Sequence, residues 1–199
     1  PFTVASYMIE GSGSKNYRYT KQFMYCYPSA WHDLMALITR ATVKYLNGQA
    51  TAGAQALQLF DSWIGCLSPA DYQTFVFPHM QSLFAGLSAD VPVIHFGTGN
   101  STLLKQQREA GGDVIGLDFR VDLVSTWDQL GETSVQGNLD PCILFANPGV
   151  IQQKAKQILD QVKGRNGHIF NLGHGVLPET PVDHVMELVD YVHNQSTKN

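Results

Sequence analysis

Short apolar runs alternate along this chain with longer stretches in which apolar residues recur every three or four positions. The short runs are rich in Val, Ile, Leu or Phe and mostly lack polar alternation, which is typical of strands covered on both faces of a sheet. We predict strands over residues 2–6, 56–60, 92–96, 114–117, 134–136 and 168–171.

The longer stretches predict helices between these strands. One covers residues 29–47 and the last follows residue 181, each with apolar side chains on one face. Three helices share a start signal, in which a polar residue precedes proline: Ser68-Pro69, Asn147-Pro148 and Thr180-Pro181. In each, the side-chain oxygen caps free backbone amides, and proline at the first helical position loses no needed hydrogen bond.

Alternation of strand and helix predicts the α/β class with a parallel sheet. We expect an incomplete (β/α)8 TIM barrel with about six of its eight βα units, because a whole barrel needs ~250 residues. The 199 residues form a single predicted domain, residues 1–199, without an internal boundary. A doubly wound open sheet is the alternative. The stretches "EGSGSKN" and "FGTGNST" lack the third glycine of its GxGxxG turn, which disfavours a nicotinamide enzyme.

Composition narrows the class of partner. The formal net charge of −4 argues against a nucleic-acid or anionic-membrane surface, and no run of about 18 apolar residues predicts a membrane span. The three cysteines, Cys26, Cys66 and Cys142, lie far apart, which fits a reducing compartment.

Polar side chains follow the predicted strands, where a barrel places its chemistry. After the first strand, Tyr7 is either a hydrogen-bond donor in a pocket or an aromatic residue of the rim. After the second, Asp61 is either a general acid or base or a residue that orients a neighbour. Ser62 has no GxSxG elbow around it, which argues against a serine nucleophile.

The later strand ends carry a second set of polar residues. Asp118 and Arg120 follow the fourth strand, and we expect a structural ion pair. Asn138 and Asp140 follow the fifth strand and suit turn chemistry. His174 follows the sixth strand, between two glycines.

Metal ligands are not predicted. His95, His168 and His174 are scattered among the strands, with no HExxH motif and no Cys/His pair at zinc spacing. His95, inside the third predicted strand, is expected to be a core residue whose hydrogen bonds are satisfied.

Five stretches together, in order and across essentially the whole chain, resemble the uroporphyrinogen decarboxylase family: "PFTVASYMIEG", "LQLFDSWIGCLSP", "GGDVIGLDFRVDL", "VQGNLDP" and "FNLGHGVLPETPVDHV". The resemblance implies a cytoplasmic, homodimeric (β/α)8 barrel of haem biosynthesis, without a metal, flavin or other cofactor. It implies removal of the four acetate carboxylates of uroporphyrinogen III as CO2, which gives coproporphyrinogen III.

The resemblance also assigns site residues. It implies catalytic roles for Tyr7 and His174, with Tyr7 bonded to a substrate carboxylate and His174 in contact with a substrate side chain. Phe60 is expected to line the pocket beneath the macrocycle, and Ser62 to be a further substrate-binding position.

Two features of the family are absent from this sequence, namely its arginine-rich first signature and the aspartate that holds the pyrrole nitrogens. The chain has only five arginines for a substrate with eight carboxylates: Arg18, Arg40, Arg108, Arg120 and Arg165. We therefore expect that the N-terminal part is missing and that the 199 residues alone are inactive and poorly stable, with open sheet edges. The alternatives are a cobamide-dependent methyltransferase, which needs zinc ligands, and a non-catalytic tetrapyrrole-binding protein.

Overall fold

A computed structural model describes residues 1–88 and 91–196, and its helices and strands fall into two units. Unit 1 is Pro1–Ile115 and unit 2 is Gly116–Asn199. The single domain over residues 1–199 stays a prediction.

In its described residues, unit 1 contains six α-helices, one 3-10 helix (Ile64–Cys66) and two strands, and a third strand crosses its C-terminal boundary. The helices are α1 (Phe2–Glu10), α2 (Arg18–Cys26), α3 (Pro28–Thr51), α4 (Pro69–Phe75), α5 (Phe77–Ala85) and α6 (Leu104–Ala110). The strands are β1 (Leu57–Asp61), β2 (Val93–Gly97) and β3 (Val114–Gly116).

Strands β1 and β2 of unit 1 pair in parallel, from Leu57 opposite Val93 to Asp61 opposite Gly97. Alternate side chains of a strand point to opposite faces. On β1 this places Leu57 and Asp61 on a buried face, whereas Phe60 points the other way and is exposed. The core of the unit covers the buried face, and its largest fully buried side chains include Trp31, Tyr72, Met80 and Leu83.

The expected strand at residues 2–6 is wrong, because these residues belong to helix α1. Phe2, Ala5 and Ser6 are buried on one side of the helix, at a spacing of three and four residues. The helix ends at Gly11, which adopts φ 73 and donates its N–H to the carbonyl oxygen of Tyr7. The other five expected strands are confirmed.

Unit 2 contains strands β4 (Ser134–Gln136) and β5 (His168–Ile169) and helices α7 (Leu123–Leu130), α8 (Pro148–Gln161) and α9 (Val182–Ser196). The strands are parallel, with Val135 opposite His168. The N–H of Leu117, just after β3, donates to the carbonyl oxygen of Gln136 at 2.8 Å. A parallel bridge between Leu139 and Leu172 extends the pairing of β4 and β5 towards their carboxyl ends.

The three expected helix starts are confirmed to within a residue, but only one has the expected cap. Ser68 accepts a hydrogen bond from the N–H of Asp71 at the start of α4. Asn147 makes no side-chain cap bond at α8, and the hydroxyl of Thr180 has no hydrogen-bond partner in the part of the chain that is described. In the same residues, no helix has both the length and the apolar character needed to span a membrane.

Candidate functional site

The carboxyl end of β1 in unit 1 carries an exposed aromatic ring beside polar groups. Phe60 is 58% exposed, and its ring meets that of Phe96 edge-on, with the ring centres 5.9 Å apart. Ser62 is half-buried, and its carbonyl oxygen accepts a hydrogen bond from the hydroxyl of Thr98 at 2.5 Å. The segments that follow β1 and β2 are therefore joined by a hydrogen bond close to the exposed Phe60.

Helix α1 brings Tyr7 to the same end of β1. The Tyr7 ring is 47% exposed and meets the Trp63 ring edge-on, at 6.2 Å between centres. The ring centre of Tyr17 lies 6.1 Å from that of Trp63. Burial raises the pKa of Tyr17 to about 12. Tyr17 is only 6% exposed, so Tyr7 is the exposed phenol of the two that pack against Trp63.

Asp61, the residue after Phe60, is fully buried. The Thr3 hydroxyl donates to Asp61 Oδ1 at 3.1 Å and accepts from the N–H of Trp63 at 3.3 Å. No motif or spacing in the sequence singled out Thr3 or Trp63. Thr3 lies one helical turn before Tyr7, and a helix prediction would have placed the two residues on one side. The incorrect strand prediction for residues 2–6 prevented this inference.

His174 lies in unit 2 on the loop after β5 and is half-buried. Its Nδ1 accepts a hydrogen bond from the N–H of Gly175 at 2.7 Å. In the neutral ring the proton is therefore on Nε2, which can donate to a ligand. Gly173 fixes the start of this loop, because its N–H donates to the carbonyl oxygen of Leu139 at 2.7 Å and its own carbonyl accepts from Phe119 at 3.3 Å.

The residues after β3 and β4 support the His174 loop. The expected ion pair between Asp118 and Arg120 is confirmed, with 2.6 Å between Arg120 Nη1 and Asp118 Oδ2. The guanidinium group also lies 4.3 Å from the centre of the Phe119 ring. Asn138 donates to the carbonyl oxygen of Asp118 at 3.1 Å, and Asp140 caps the following 3-10 helix.

His95 is a buried core residue, as expected, but its hydrogen bonds are only partly satisfied. Nδ1 lies 3.2 Å from the carbonyl oxygen of Gly111, whereas Nε2 has no partner among the described residues. Burial lowers the pKa of His95 to about 4, although the Asp61 carboxylate favours the charged ring. His95 is therefore a neutral group of the core.

Within residues 1–88 and 91–196, no three His, Cys, Asp or Glu side chains are grouped so that they could hold a metal ion. Burial raises the pKa of the Cys66 thiol to about 11.

Parallel strands followed by helices, with polar and aromatic side chains after the strand ends, define an α/β protein of the barrel type. A methyltransferase from Methanosarcina mazei has a similar structure, with a TM-score of 0.69 over 79% of this chain and 47% of its own length. The identity is 20%, so this likeness shows the fold alone, and the fold class of an incomplete (β/α)8 barrel is confirmed.

The family model of uroporphyrinogen decarboxylase (URO-D) matches residues 1–195, and the chain belongs to this family.

Curated relatives support the same assignment. A uroporphyrinogen decarboxylase of Chloroflexus aurantiacus is 54% identical over 96% of this chain. Those of Carboxydothermus hydrogenoformans and Thermus thermophilus are 53% and 51% identical over 99% and 96% of it. The chain spans only 56–57% of the length of these relatives.

Proposed function

We propose that this chain supplies part of the substrate site of a uroporphyrinogen decarboxylase, a carboxy-lyase of haem biosynthesis. The reaction converts uroporphyrinogen III to coproporphyrinogen III and four molecules of CO2 without a cofactor. Support comes from the family model over residues 1–195 and from relatives of that name at 51–54% identity.

The observation that carries the proposal is the exposed Tyr7 and Phe60 at one end of β1 in unit 1. A porphyrinogen is a flexible apolar macrocycle with carboxylates at its rim. The exposed Phe60 ring suits the macrocycle, and the Tyr7 hydroxyl suits a carboxylate. Ser62 directly follows the buried Asp61 and adds a second hydroxyl to the same edge.

The chemistry needs a proton and a well-placed substrate. A proton added to a pyrrole carbon makes the ring an electron sink. The electron pair of the bond between the acetate CH2 and its carboxylate then moves into the ring as CO2 leaves. Protonation of the resulting CH2 carbon gives a methyl group, and loss of the added proton restores the pyrrole. In this scheme Tyr7 holds a carboxylate, and the Nε2–H of His174 donates to a substrate side chain.

The partners of the protein belong to the same proposal. Uroporphyrinogen is the proposed ligand, and a cytoplasmic homodimer without a nucleic-acid or membrane partner is the proposed state. The substrate carries eight carboxylates, whereas this chain has five arginines. We therefore expect further basic side chains in a segment that corresponds to the part of the relatives that this chain does not match.

The test compares two proteins. One is the 199-residue chain, and the other, called the extended protein, joins this chain to the part of the Chloroflexus aurantiacus relative that it does not match. Each is given uroporphyrinogen, and the products are separated by their number of carboxylates. We expect decarboxylation by the extended protein only. A folded extended protein without activity contradicts the proposal.

A variant tests the role of Tyr7. Tyr7→Phe in the extended protein should lower kcat/KM about 10- to 100-fold, because a hydrogen bond to a charged group contributes about 1.5–3 kcal/mol. Tyr45→Phe is the matched control, since Tyr45 is exposed on helix α3. Equal kcat/KM values for the two variants would remove Tyr7 from the site.

A further inference from the structure

We propose that Asp61 is a positioning residue, which holds Tyr7 in place at the carboxyl end of β1. This inference rests on the proposed function and deepens it. Asp61 is the last residue of β1, lies between Phe60 and Ser62, and has no exposed surface. It therefore acts through other residues.

The path from Asp61 to Tyr7 runs through one threonine. The Thr3 hydroxyl donates to Asp61 Oδ1 at 3.1 Å and accepts from the backbone N–H of Trp63 at 3.3 Å. These two hydrogen bonds tie helix α1 to the segment that follows β1. Tyr7 lies four residues after Thr3 in α1, hence on the same side of the helix.

Trp63 closes this arrangement from the other side. Its backbone donates to Thr3, and its ring meets the Tyr7 ring edge-on at 6.2 Å between centres. Strand alternation points the Phe60 ring away from Asp61. One buried carboxylate thus sets the position of Tyr7 relative to the exposed ring of Phe60.

The energetics argue that Asp61 does more than stabilise the fold. None of the ion pairs in the described ranges includes Asp61, and its Oδ2 has no hydrogen-bond partner there. Burial of a carboxylate with an unpaired oxygen costs free energy, and apolar side chains of similar volume often serve stability as well or better. The Asp61 carboxylate accepts a hydrogen bond from Thr3, and an apolar residue at this position could not position Thr3 in this way.

The first test measures coupling in the extended protein. Asp61→Ala should lower kcat/KM about 10- to 100-fold, because misplacement of a binding group by ~1 Å can cost about 100-fold. Asp61→Asn keeps an oxygen that accepts from Thr3, and its kcat/KM should stay within about threefold of that of the extended protein. Thr3→Val should behave like Asp61→Ala. The double variant Asp61→Ala/Tyr7→Phe should be no worse than Tyr7→Phe, whereas losses that multiply overturn the inference.

The second test needs no activity and uses the extended protein labelled with 3-fluorotyrosine. The ¹⁹F resonance of Tyr7 is identified by its loss in Tyr7→Phe. It should move in Asp61→Ala and return in Asp61→Asn. Asp71→Ala is the matched control, because Asp71 accepts from the Tyr25 hydroxyl at 3.0 Å and should move only that resonance.

The two tests separate the two proposals. A Tyr7 resonance that stays in place in Asp61→Ala overturns the positioning role. A resonance that moves supports that role even where Tyr7→Phe leaves decarboxylation unchanged, and the latter result contradicts only the role of Tyr7 in the reaction.

Discussion

His95 should make the stability of this protein depend on pH. The ring is fully buried, and Nδ1 faces the carbonyl oxygen of Gly111 at 3.2 Å. A carbonyl only accepts, so Nδ1 carries the proton of the neutral ring, and Nε2 is the nitrogen that must take up a second proton. Burial opposes that charge more strongly than the Asp61 carboxylate favours it, and the pKa falls from 6.5 to about 4.

The sign and size of the effect follow from this difference. Between pH 6.5 and about 4 the unfolded chain holds a proton at His95 that the folded chain does not. The free energy of unfolding therefore falls as the pH falls, by up to about 1.4 kcal/mol for each pH unit. From pH 7.5 to pH 5, the loss due to His95 alone amounts to about 2 kcal/mol.

The assay is urea unfolding of the extended protein, called the original protein here, and of its variant His95→Gln at pH 7.5 and pH 5. Glutamine is neutral throughout and has an amide that can donate to Gly111. The original protein should lose about 2 kcal/mol more than the variant over this interval. His79, whose pKa is also lowered to about 4, contributes equally to both proteins. Equal losses in the two proteins would refute this account of His95.

Two further predictions each have a matched control in unit 2. Gly173→Ala should lower the free energy of unfolding in urea by about 1–3 kcal/mol, because a Cβ there would lie 2.7 Å from the Cα of Phe119. Gly175→Ala is the control and should lower it less, because its Cβ meets no atom within 4 Å. Asp122→Ala should lower the free energy of unfolding by about 1 kcal/mol, because Asp122 caps α7, whereas Asn147→Ala removes no side-chain cap and a similar loss there would contradict the capping argument.

Residues 2–6 show where the local pattern misled the prediction. Five residues are too few to separate the period of a short buried strand from that of a helical turn. Phe2 and Ala5 fit both, and the left-handed Gly11 marks the end of a helix rather than a loop after a strand. The error mattered for the site, because Thr3 contacts Asp61 only from a helix that also carries Tyr7.

The site residues were found unevenly for a related reason. Position after a predicted strand pointed to Tyr7, Ser62 and His174 as candidates, although the strand predicted before Tyr7 is a helix. The resemblance to the family assigned their roles and added Phe60. For Asp61, the sequence is compatible with both a catalytic and an orienting role. Its burial and its bond to Thr3 depend on packing, and the structure supplied both.

By itself the sequence determined strands β1 to β5 and the proline-led starts of helices such as α4 and α8, because apolar periodicity and proline geometry act over a few residues. It also carried the motifs that assign the family. Only the tertiary structure decided that Thr3 meets Asp61, 58 residues away in the chain, and that burial lowers the pKa of His95. Contacts between distant segments, and the loss of solvent that shifts a pKa, arise when the chain packs, and no local pattern encodes them.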